Sequence, residues 1–210
     1  MIWIDTCKAA GDLAGRSKWW GFPDLPDSLD WPSVEVDDDG DVYDDPLTFV
    51  GQIRCADIAG LDPEGLLPHE GMLYFFAALD YFLGDLDAAV APGMGEWPSE
   101  CFRVLYSPSC EGLNTHSLLY DDGTPACLPA EEMVFRGDDP SGLLYNRLLG
   151  APSMEETREA MPGLISLFQL DENDDWDLRF FDSGMLNFLM TPSDLAARRF
   201  DAVRAWLFSA

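Results

Sequence analysis

Apolar residues along this chain come mostly in short runs, and only a few segments carry the 3.6-residue spacing of an amphipathic helix. Residues 47–53 and 71–77 are apolar and aromatic, which predicts buried strands. Residues 101–106, 164–170 and 184–190 have the same character. Val34-Glu35-Val36 and Val42-Tyr43 alternate about Asp38-Asp39-Gly40-Asp41, predicting a hairpin with an acidic tip. Residues 77–90 fit a helix or a strand plus loop equally well. Residues 1–15 carry little signal and read as a short lead-in. Two helix starts are marked. Ser153-Met154-Glu155-Glu156 has the form of a capping box, with Pro162 as its stop. Thr191-Pro192-Ser193-Asp194 places Pro at a first helical position. From there Ala196, Phe200, Val203 and Leu207 fall on one helical face, which predicts a C-terminal helix packed on the body. The predicted fold class is strand-rich α+β.

Three landmarks recur in order. Lys18-Trp19-Trp20-Gly21-Phe22-Pro23 is echoed by Arg147-Leu148-Leu149-Gly150-Ala151-Pro152, and Phe49-Val50-Gly51-Gln52-Ile53 by Ser166-Leu167-Phe168-Gln169-Leu170. Gly71-Met72-Leu73-Tyr74-Phe75-Phe76 returns as Gly184-Met185-Leu186-Asn187-Phe188-Leu189. The offsets are 129, 117 and 113 residues, far too long for a solenoid. The expectation is an internal duplication: a lead-in (1–15), a first half (16–106) and a second half (107–210), packed as one unit. Clefts between such halves are common ligand sites.

Charge narrows the possible partners. Among 210 residues, 39 acids face 12 bases, a formal net charge of −27, and the only lysines are Lys8 and Lys18. Nucleic acid and anionic membranes call for clustered Lys and Arg, so neither is expected as a partner. The acidity serves solubility, or it attracts and steers a cationic partner. The chain has no run of 18 apolar residues, and its first residues lack a basic, apolar leader, which together predict a cytoplasmic protein. Five scattered cysteines without a C-x-x-C pair predict reduced thiols, not a zinc site or a disulfide framework.

Few residues suggest chemistry. The run from Glu35 to Val42 superficially fits a calcium loop, but the twelfth position, normally a bidentate Glu, is Pro46. No metal and no cofactor is expected. The two histidines, His69 and His116, belong to no catalytic motif. The repeated residues are more informative. Gln52 and Gln169 each sit in an apolar strand, where an amide must find partners. Each ties its strand to a loop or lines a cleft between the halves. The paired cations Lys18 and Arg147 are surface residues or anion-reading groups in that cleft.

The same landmarks resemble the YwqG-like family of bacterial cytoplasmic proteins, a domain of unknown function. The residues that carry the resemblance are Ser17-Lys18-Trp19-Trp20-Gly21-Phe22-Pro23-Asp24-Leu25-Pro26 followed by Trp31-Pro32, then Phe49 to Ile53, Leu67 to Phe76 and Arg103 to Tyr106. Arg147 to Pro152, Trp176 and Asp182-Ser183-Gly184 complete it. Trp20 stands where the family has Gly, and acidic residues follow Pro152 where the family has bases. The resemblance implies a strand-rich fold, a cytoplasmic bacterial setting and no established reaction. Because family members are sometimes encoded near toxin systems, it also implies an immunity-like role.

The leading reading is a non-enzymatic binding protein that neutralises a basic protein partner, with Asp37, Asp38, Asp39 and Asp41 as partner-binding residues. The alternative is a small-molecule or peptide binder, or an enzyme, working in a cleft lined by Lys18, Gln52, Arg147 and Gln169. The first requires acids concentrated on one exposed face, the second a deep pocket lined by Trp and Tyr with Gln52, Gln169, Lys18 or Arg147.

Overall fold

The computed structural model describes residues 1–138 and 146–210. Fifteen strands carry the fold among those residues. They are β1 (Ile2–Lys8), β2 (Lys18–Trp19), β3 (Asp24–Pro26), β4 (Ser33–Asp38), β5 (Asp41–Pro46), β6 (Thr48–Arg54), β7 (Met72–Ala77) and β8 (Gly95–Glu96). There follow β9 (Phe102–Ser107), β10 (Leu113–Thr115), β11 (Glu131–Arg136), β12 (Arg147–Leu148), β13 (Ile165–Asp171), β14 (Gly184–Met190) and β15 (Arg204–Ser209). The helices are short: α1 (Cys55–Ile58), α2 (Glu155–Ala160) and α3 (Pro192–Ala196).

Eleven strands form one antiparallel sheet in the order β8-β15-β14-β13-β12-β1-β11-β2-β6-β7-β9. β3 with β10, and β4 with β5, form two small ribbons. The large sheet is curled. Strands β13 and β7 lie six places apart, roughly 29 Å along a flat sheet. Yet the ring centroids of Phe75 and Phe168 are 4.5 Å apart. The two ends therefore face each other across a core of Trp19, Phe75, Phe168 and Phe188.

Each end of the sheet has the same local pairing. Lys18 pairs with Gln52, and Gln52 with Tyr74. Arg147 pairs with Gln169, and Gln169 with Asn187. The ladder slips by one residue at Val50 in one end and at Leu167 in the other. The carbonyls of those two residues accept from the amides of Trp20 and Leu149 respectively. Both amide donors have positive φ, +50° and +62°, although neither is Gly. Strands do not segregate cleanly by sequence, however. β11 pairs with β2, and β8 extends the far edge beside β15.

Most of the strand expectations are met, including the hairpin, where β4 and β5 meet through Asp39 and Gly40. Both have φ > 0 (+52° and +94°), the signature of a two-residue type I′ turn. Residues 77–90, ambiguous in sequence, supply a 3₁₀ turn at Asp80–Leu83 and then a loop. Residues 2–8, within the stretch read as a lead-in, form β1 between β12 and β11.

The C-terminal helix is corrected. α3 starts where expected, with the Thr191 hydroxyl accepting from the Asp194 amide, but ends at Ala196. Arg198 is left-handed at φ +56°, and the amides of Arg198 and Arg199 close on the carbonyls of Leu195 and Asp194. That is a Schellman stop. After a 3₁₀ turn at Phe200–Ala202 the chain becomes β15. Val203, Ala205, Leu207 and Ser209 are buried at a spacing of two, a period the helical spacing of Phe200, Val203 and Leu207 concealed. The capping box is corrected too. Met154 is the N-cap of α2, without a side-chain cap. The Ser153 hydroxyl instead donates to Gln169 Oε1 at 2.6 Å.

Candidate functional site

The row Trp19–Gly51–Phe75 carries the inner core rings, so the adjacent row Lys18–Gln52–Tyr74 points to the opposite face of the sheet. At the other end Leu148, Phe168 and Phe188 form the inner row, and Arg147, Gln169 and Asn187 the outer one. The four sequence-predicted cleft residues therefore form two separate pairs on outer faces, with β1 and β11 between β12 and β2. They do not share a cleft.

Both glutamines are fully buried. Gln52 Oε1 accepts from the Asp24 amide at 2.9 Å, and Nε2 donates to the Arg16 carbonyl and to Asp24 Oδ2. The ribbon of β3 and β10 holds Asp24 there, with Thr115 directly opposite it. Lys18 Nζ donates to Asp24 Oδ2 at 2.7 Å, and the Thr115 hydroxyl to Oδ1 at 2.6 Å. Burial alone would raise the Asp24 carboxyl. Hydrogen bonds from Lys18, Thr115 and the Gly15 amide outweigh it and hold the group below its usual range. This network ties Lys18 and Gln52 to Asp24, and Lys18 also lines the second cavity described below.

Neither histidine is hydrogen-bonded to a nucleophile among the described residues. His69 Nε2 lies 3.7 Å from Asp62, and His116 gives its backbone amide to the Pro23 carbonyl. At the hairpin tip Asp37 Oδ1 accepts from the Gly40 amide, and the strand alternation sends Asp37 and Asp38 to opposite faces. Among the described residues no group of three or more His, Cys, Asp or Glu side chains is placed to hold a metal ion.

A cavity of about 620 Å³ lies where β5, the 80–89 loop and the 118–128 loop meet. Asp45, Asp80, Asp85 and Asp87 line it with Trp31, Tyr43, Phe49 and Tyr120, and among the described residues no Lys, Arg or His does. Asp80 is anchored by the Thr48 hydroxyl at 2.7 Å. Burial, then the charges of Asp80 and Asp85, push the Asp45 carboxyl above its usual range. Trp31 donates its indole N–H to the Leu47 carbonyl, fixing its ring against Phe49 and Phe76. Sequence reasoning located the acidic hairpin but not this cavity, because its three walls are far apart in the chain. The available signal was the acid-rich stretch Asp80, Asp85, Asp87 in the segment of ambiguous structure.

With this geometry in view, the comparison with known families is decisive for membership. The family described as Domain of unknown function (DUF1963) matches residues 17–141 and 138–207. The chain belongs to that family. Membership in DUF1963 agrees with a domain of unknown function and assigns no reaction. No curated protein matches the chain.

A second cavity of about 390 Å³ adjoins the first and shares Pro125, Cys127 and Leu128 with it. It is lined mainly by apolar residues, including Leu13, Phe22 and Pro129. Burial pushes the Cys127 thiol above its usual value, with Lys18 partly opposing, so this thiol is protonated at neutral pH.

Proposed function

We propose that this protein is a non-enzymatic binding protein whose acidic cavity receives a basic segment of a protein partner. The observation that carries this reading is the lining: four aspartates and, with Phe49, four aromatic side chains around one cavity, with no basic residue among the described lining residues. Cations are attracted both to carboxylates and to aromatic faces, so Lys or Arg side chains match both of these parts of the wall. Burial raises the Asp45 carboxyl most, and the like charges of Asp80 and Asp85 add to it. A bound cation offsets the like-charge part. The net charge of −27 supplies long-range steering toward the same partner. A reducing, cytoplasmic setting fits the five free cysteines, and no helix among the described residues is long and apolar enough to cross a membrane.

We also infer that the two ends of the sheet derive from one duplicated unit. Support comes from the matching registers, the ladder slips at Val50 and Leu167, and the paired left-handed residues Trp20 and Leu149. The neighbouring apolar cavity supports a second reading, in which a small apolar molecule is the ligand.

Calorimetric titration with a short Lys/Arg-containing peptide, against a neutral peptide of equal length, tests the proposal. The basic peptide binds and weakens as salt rises, because the screening length falls to about 8 Å at 0.15 M. Binding of neither peptide, with a small apolar molecule raising the melting temperature instead, favours the second reading.

A further inference from the structure

We propose that Arg147 is the centre of a second binding site, for a small oxyanion such as phosphate or a carboxylate, independent of the acidic cavity.

Arg147 is only 5% exposed. Its Nη2 donates to the Ala151 carbonyl at 2.7 Å, and its Nη1 to the Met1 thioether at 3.2 Å. Nε is buried without any hydrogen-bond partner. A guanidinium carries five N–H donors, and a thioether is a weak acceptor, so most of its donor capacity is unused. The Trp3 ring, 5.7 Å from the guanidinium carbon, neutralises no charge. Among the described residues no carboxylate pairs with Arg147, in a chain that has 39. Buried cations are ordinarily paired, because an uncompensated one loses its hydration for nothing.

The other end of the sheet displays the completed arrangement. Lys18 occupies the register position of Arg147, and Asp24 neutralises it. Toward Gln169, Ser153 stands as Asp24 does toward Gln52, three residues after the glycine of each landmark. A hydroxyl replaces the acid, so the cation stays and its counter-ion is gone. A second cation is close by: Arg158 Nη1 donates to the carbonyls of Pro152 and Ser153, and after burial its charge is what lowers Arg147 from its ordinary value. Glu155, Glu156 and Glu159 on the same helix are exposed to solvent, which screens them. The cover over Nη1 is the side chain of Met1, a half-exposed, unbranched chain resting on Gly150. Displacing it lets an oxyanion take the guanidinium donors in the bidentate geometry that Arg favours.

The test is the melting temperature of the full chain in inorganic phosphate against sodium chloride at matched ionic strength, with acetate as a parallel arm. Phosphate at several times its Kd raises the melting temperature by about 2–4 °C and saturates, while chloride does not. A larger response to acetate than to phosphate assigns the ligand as a carboxylate. Arg147→Met removes the charge, keeps the apolar stem and abolishes the response. Ser153→Asp, which restores the acid found at the other end, raises the melting temperature without phosphate and also abolishes the response. Coincident phosphate, acetate and chloride curves in the unaltered protein overturn the proposal. So does a phosphate response that persists in either variant.

Discussion

Both carboxylate oxygens of Asp24 are occupied, by Lys18, Gln52 and the Gly15 amide on one and by Thr115 on the other. Asp24→Ala leaves the Lys18 ammonium buried and unpaired, and costs about 3–5 kcal/mol in urea denaturation. The Asp24 carboxyl is held below its usual range, so its stabilisation is complete above the ordinary aspartate range and is lost as pH falls through the lower folded value. Asp171 runs the other way. Burial, aided by the Glu172 charge, pushes it to about 7 against an ordinary 3.8. It is ionised in the unfolded chain and protonated in the folded one between those values, so its contribution erodes stability as pH rises from about 4 to about 7. Asp171→Asn therefore raises the melting temperature at pH 8 and leaves it nearly unchanged at pH 3.5. Asp45→Asn stabilises at neutral pH for the same reason, while weakening cation binding. The burial of Gln52 and Gln169 was legible from the apolar residues flanking each. Asp24 as the partner of both Gln52 and Lys18 was not, because a ribbon built from residues 24–26 and 113–115 brings it there.

Strands were legible wherever the apolar run was long, as in β6, β7, β13 and β14. Two elements were not, and the reasons are geometric. Phe200, Val203 and Leu207 satisfy a helical spacing, and only the Schellman stop at Arg198 frees the chain to extend as β15. β1 has three buried residues at its start and exposed ones after, so its period is weak although it lies mid-sheet. Glycines shared by the landmarks have packing reasons as well as conformational ones. A Cβ on Gly71, which has φ +82°, lies 2.0 Å from the Ser107 carbonyl oxygen across the β7–β9 ladder. Gly71→Ala must separate those strands, and costs more than about 2 kcal/mol by thermal or urea unfolding. A cost below about 0.5 kcal/mol contradicts the close approach of β7 and β9.

At the scale of the whole molecule, a curled sheet joins two similar ends through their aromatic inner faces and leaves the outer faces to polar networks and loops. The acidic cavity forms on that loop-bearing periphery. The sequence pointed to a cationic partner through its charge, and to the hairpin tip as its contact, but gave no view of a cavity assembled from three distant segments. Two acidic clusters now compete for the role: Asp37, Asp38, Asp39 and Asp41 at the exposed tip, and Asp45, Asp85 and Asp87 in the cavity wall. Diffuse attraction depends on total charge, whereas a site depends on position. The deciding measurement is the Kd of one short basic peptide for three proteins at a single ionic strength: unaltered, with the four tip aspartates changed to Asn, and with the three cavity aspartates changed to Asn. The account predicts that the cavity variant loses at least tenfold in affinity and the tip variant about threefold or less, although the tip variant loses more charge. An equal or greater loss in the tip variant contradicts it.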